Sequence, residues 1–168
     1  AFDDEFEVRK EQITTGAALG RCGTGEAFEN GLLEAAERDA CIAAYLQKAE
    51  IRRIVDLPPD LRKLVQYLER YRLEPHIFDV TADLGIPTVL VLTLDRTGIG
   101  PAVMAGSRSS WCYERAIKGA LLESVQCRRS GRLMRETLFP NGLPTEDAVN
   151  SMDDRFYFWP GIERISDL

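Results

Sequence analysis

Histidine is nearly absent from this chain: its 168 residues include one, His76. The four cysteines, Cys22, Cys41, Cys112 and Cys127, form no CxxC pair, so the ligand spacing of a structural zinc site is missing. No Ser/His/Asp arrangement is suggested around His76, which reads as a sheet residue. No apolar run approaches the ~20 residues of a membrane span, so no membrane partner is expected. The N-terminal AFDDEFEVRK is acidic and polar and has no signal-peptide pattern. Lysine and arginine number 21 against 27 aspartates and glutamates, and a net charge of −6 argues against nucleic-acid binding. The glycine-rich Gly16–Gly25 is followed by no Lys-Ser/Thr pair and is not GxGxxG, so neither a P-loop nor a dinucleotide turn is present. Most of the cysteines fall in or beside expected helices among apolar residues, which fits reduced thiols and a cytoplasmic location.

What is there is enough apolar residue, 45%, for one globular core. A strand is expected at Gln12–Leu19, then a turn over Gly20–Gly25. Thr24 serves as the expected N-cap of a helix reaching about Ala49. Ile51–Leu57 is extended up to Pro58 and Pro59, and Asp60 opens a second helix to about Tyr71, with Leu61, Leu64, Val65 and Leu68 on one face. Three strands follow, at His76–Thr81, Pro87–Leu94 and Pro101–Gly106. The continuous apolar run PTVLVLTL suits a central strand. A third helix covers about Cys112–Arg132, residues 136 to 152 read as loop with a short helix at Pro144–Asn150, and the aromatic tail Phe156–Trp159 packs back on the domain. The order predicts an α+β fold with a mixed or largely antiparallel sheet.

Two of the helices carry matching polar stripes. At ~100° per residue, Asn30, Glu34, Glu37 and Cys41 share a narrow arc with Arg38 at its edge, in a helix apolar enough to be buried on several sides. On the third helix Gly119, Glu123, Gln126 and Ser130 share a face. If Glu34/Glu37 and Glu123/Gln126 face each other, three carboxylates and an amide surround one small volume. That density of oxygen suits magnesium and the phosphates it shares. Solvated faces and ordinary ion pairs, Glu34 with Arg38 for example, are the other reading. Arg128 and Arg129, at a helix end, read as solvated or as phosphate contacts.

Five segments occur in a set order: TTGAALGRCGTGEAFENGLLEAAERDA, DLPPDLRKLVQYLERYRLEPHIFDVTADLGIPTVLVLT, GPAVMAGSRSS, ERAIKGALLESVQCRR and SMDDRFYF. Together they resemble the YcaO family, over roughly residues 12 to 168. The resemblance implies ATP and Mg2+ as cofactors, bound through acidic residues on two helices. By position these are Glu34, Glu37, Glu123 and Gln126, with Glu34, Glu37 and Glu123 as metal ligands; the last position is Gln where some members have Glu. It implies phosphorylation of a peptide amide oxygen, giving a thiazoline or oxazoline, or a thioamide with a TfuA-like partner. Other relatives are accessory factors of ribosomal-protein methylthiolation. A peptide or protein substrate, a precursor-recognition partner and a homodimer are expected. Members are much longer, so residues 1 to 168 are expected to be one YcaO-like domain, the central portion of a longer protein, that binds ATP weakly by itself. The alternative is a noncatalytic scaffold that recruits a peptide or partner enzyme.

Overall fold

A computed structural model describes residues 23–48 and 50–138, the side chains of 130 and 133–138 excepted. The expected strand at Gln12–Leu19, the short helix at Pro144–Asn150 and the aromatic tail lie outside the described residues. The elements are α1 (Thr24–Leu46), β1 (Arg52–Arg53), α2 (Pro59–Arg70), β2 (Leu73–Asp79), β3 (Thr88–Asp95), β4 (Val103–Ser109) and α3 (Tyr113–Leu138). The sheet is four-stranded in the order β1-β2-β3-β4, every pair antiparallel, which makes the fold α+β as expected.

Several boundaries move for physical reasons. Gly23, at φ 107°, occupies the N-cap of α1, so Thr24 is the first helical residue and caps nothing. Pro59 starts α2 because a proline costs no hydrogen bond in a first turn; Asp60 and Arg70 then suit the two ends of the helix dipole. β4 runs three residues beyond the expected Gly106, and α3 runs to Leu138, through residues expected to be loop.

The strand alternation assigns the faces. Met104 and Gly106 of β4 lie level with Thr93 and Val91 of β3. This face takes α3: Ala116, Ile117, Ala120 and Leu121 pack with Val89, Val91 and Met104, while Leu61 and Leu68 of α2 join Leu73 and Ile77. Burying each large aliphatic side chain contributes ~1.5–3 kcal/mol. The alanines bring α3 so close that a Cβ on Gly106 would lie 2.4 Å from Ala120 O and Ser124 N. The Thr93 and Ser124 hydroxyls, buried at this contact, bond each other at 2.8 Å. Ser107 points to the opposite face, where its hydroxyl meets α1. The helices therefore lie on opposite faces of the sheet, not face to face as the matching stripes suggested. α1 is also less buried than its composition predicts. Of its residues only Ala36 and Ala40 are fully buried, because one sheet face covers one side of a helix.

A frame holds the far end of β3. The Asp95 carboxylate is fully buried and accepts from Arg128 Nε at 2.8 Å and from Thr97 N–H at 2.8 Å. Arg128, half-buried, is thus the ion-pair partner of Asp95.

Candidate active site at the edge of strand β4

Among the described residues β4 is the last strand of the sheet, and alternate backbone N–H groups along its outer side pair with no described strand. Two helix carboxylates take them. Ser109 N–H donates to Glu37 Oε2 at 3.2 Å, and Ser107 N–H donates to Glu123 Oε2 at 2.9 Å. The Ser107 hydroxyl donates to Glu37 Oε1 at 2.7 Å. Glu37 comes from one face of the sheet and Glu123 from the other, and they meet at its rim.

The Glu37 carboxyl is the perturbed one. Burial pushes the Glu37 carboxyl above its ordinary range, although the hydrogen bonds from Ser107 and Ser109 favour the anion; the charge of Glu123 adds to the rise. Cys41, one turn on from Glu37 and beside Ser107, is pushed up by burial and by the same charges. It is held as a thiol, which is a poor metal ligand.

Not every expected residue is here. Glu34 turns away and accepts from Arg38 at 2.7 Å, the ordinary i,i+4 pair. Gln126 lies with Glu123 on the wall of a cavity of about 640 Å3. Ser130's side chain lies outside the described ones. Among the described residues no group of three or more His, Cys, Asp or Glu is assembled for a metal ion. The expected three-carboxylate cluster is a pair.

The cavity adds residues that spacing did not reveal. Arg108, Arg115 and Lys118 line it, and cations beside carboxylates suit a polyanion carried with a divalent ion. Trp111 closes one side, its indole N–H donating to Glu29 Oε1 at 2.7 Å, so the starts of α1 and α3 are tied across the opening. The volume is within the range of small-molecule sites, roughly 300–1,000 Å3. Ser107, Arg108 and Ser109 could have been found only by seeing that GSRSS continues the strand. The donor set fits magnesium: each carboxylate keeps lone pairs beyond those used by the strand, and magnesium takes one or two carboxylates with phosphate and water. His76 stays a sheet residue, its Nε2 3.2 Å from Glu74.

No curated protein matches the sequence. Among solved structures, the chain is similar to the E. coli microcin synthetase McbBCD complex with pro-MccB17 bound, at 18% identity and TM-score 0.64, covering 86% of this chain and 37% of that one. It is similar to the heterocyclase TruD, at 22% identity and TM-score 0.58, covering 80% and 21%. The Methanopyrus kandleri YcaO bound with AMPPCP and Mg2+ matches at 26% identity and TM-score 0.52, covering 85% and 38%. The chain thus spans less than two-fifths of each. The family model of the YcaO cyclodehydratases, described as ATP- and Mg2+-binding, matches residues 8–167. The chain belongs to the YcaO family.

Proposed function

We propose that this chain carries the ATP–Mg2+ site of a YcaO enzyme that activates peptide amides. The observation that carries the reading is the meeting of Glu37 and Glu123 at the rim of β4, beside a cavity lined with cations. Glu37 and Glu123 would hold Mg2+ through the lone pairs left by Ser107 and Ser109. Gln126 offers an amide oxygen in the same wall, and Arg108, Arg115 and Lys118 face the phosphates. Glu34 acts from outside, by fixing Arg38. When bound, Mg2+–ATP supplies the phosphoryl group that makes an amide oxygen a leaving group.

The peptide chemistry follows from that transfer. A Cys, Ser or Thr side chain would add to the preceding carbonyl carbon and give up its proton; with the carbonyl oxygen so activated, loss of that oxygen as phosphate and of the amide N–H proton would leave an azoline. External sulfide as nucleophile gives a thioamide instead. Residues 1 to 168 act as one YcaO-like unit of a longer protein. Its substrate is a peptide or protein, and a precursor-recognition or TfuA-like protein is its partner. The location is cytoplasmic; among the described residues no helix is long and apolar enough to cross a membrane.

Heat-shift measurements on the complete protein test the reading. Mg2+ with AMPPCP raises the melting temperature, and the rise disappears with EDTA. A melting temperature unmoved by Mg2+–AMPPCP supports the noncatalytic scaffold instead.

A further inference from the structure

α3 carries a glycine in its interior, Gly119, on the polar stripe that also bears Glu123 and Gln126. Glycine makes a helix less stable there than alanine would. What the missing side chain leaves is room. A Cβ at Gly119 would lie 2.6 Å from Arg108 Cγ and 3.2 Å from its Cβ and Cδ. Those atoms are the stem of the arginine and not its mobile end, so the whole side chain would have to move.

Both sides of this contact are held. Alternation along β4 puts Arg108 on the same face as Gly106, toward α3 and level with Val89 of β3. At Gly106 the strand lies so close to Ala120 and Ser124 that a Cβ would not fit, which sets the distance of the helix. The residues on either side of Arg108 are held too, Ser107 by Glu37 and Glu123, and Ser109 by Glu37. The arginine stem therefore crosses α3 where the helix has no Cβ, and Arg108 and Gly119 line the cavity together with Glu123. Burial raises the Glu37 carboxyl, and the charge of Arg108 works against that rise, which places the guanidinium in reach of the rim.

We infer that Gly119 is a positioning residue for Arg108: its missing side chain is the slot through which β4 sends a guanidinium across α3 to the phosphates carried with Mg2+. This rests on the nucleotide reading and adds to it the residue that aims one of its cations. An arginine so confined loses less side-chain freedom on meeting the anion than one loose on the surface.

A double-mutant cycle on the complete protein tests it, with Gly119→Ala, Arg108→Ala and the two together. Calorimetric titration with Mg2+–AMPPCP gives the affinity, and melting without nucleotide gives the stability. Arg108→Ala weakens binding roughly tenfold, the size of a lost charge-assisted contact. Gly119→Ala weakens it in the same sense, several-fold, and weakens it no further in the Arg108→Ala background. The melting temperature shows the same coupling. Gly119→Ala raises it in the Arg108→Ala background, where the space is vacant, and raises it less or lowers it when Arg108 is present. A role in helix packing alone would move the melting temperature and leave the affinity of the folded protein unchanged, which overturns the inference. So do additive losses of affinity, or equal melting shifts in both backgrounds. A complete protein that does not bind Mg2+–AMPPCP overturns the nucleotide reading and this role with it. One that binds, with its Gly119→Ala variant binding as tightly, overturns this role alone.

Discussion

Glu37 and Asp95 titrate in opposite senses, and each sign is open to measurement. Burial raises the Glu37 carboxyl above its ordinary value of 4.5, so its anion is disfavoured in the fold. That penalty is complete above the raised value and fades as pH falls through it. Glu37→Gln removes the titration and keeps the shape: its amide can accept from Ser109 N–H and donate to the Ser107 oxygen. The expected outcome is a melting temperature equal or higher at neutral pH, with the gain shrinking as pH falls toward 4.5. Burial would also raise Asp95, but the hydrogen bonds from Thr97 and the Arg128 guanidinium more than reverse it, and the carboxyl sits below its ordinary 3.8. Its contribution is full above that ordinary value and is lost as pH falls through the depressed one. Arg128→Ala leaves the buried carboxylate short of a partner and costs ~1–3 kcal/mol. Denaturant melts from neutral pH to below 3.8 should show that loss shrinking at the acid end. A loss independent of pH would contradict the ion-pair account.

At the scale of elements, legibility followed burial. PTVLVLTL was readable as a central strand because β3 is covered on both sides, so no alternation hides it. The amphipathic α2 was readable from Leu61 and Leu68. The end of β4 was not: SRS is polar because its outer edge pairs with carboxylates 16, 70 and 72 residues away in sequence, which no local pattern records. Spacing showed two stripes but not the sheet between them, nor which glutamate of the Glu34/Glu37 pair reaches the rim. Residues three apart differ by ~60° around a helix, enough to send one to Arg38 and the other to Ser107. The α3–β4 contact carries its own test. Gly106→Ala drives a methyl group into the backbone of Ala120 and Ser124. It should cost about 2–3 kcal/mol and lower the melting temperature by roughly 4–12 °C, as calorimetry can read. An unchanged melting temperature would mean that α3 does not approach β4 so closely.

At the scale of the described molecule, two helices on opposite faces of one antiparallel sheet deliver a glutamate each to its β4 edge. ATP brings about four negative charges, and at low effective dielectric each close like-charge pair costs several kcal/mol unless a cation intervenes. A site meant only to cap β4 would have no use for the nearby cations of the cavity, whereas a nucleotide carried with Mg2+ uses both. The two roles separate on one set of preparations. Magnesium-dependent ATP turnover is measured on the complete protein and on its Glu37→Gln and Glu123→Gln variants, each alongside its melting temperature without nucleotide. The account predicts turnover lower by orders of magnitude in both variants with the melting temperature held or raised. Near-normal turnover per folded molecule, with lowered melting temperatures, would contradict it and leave the two glutamates as caps on a sheet edge.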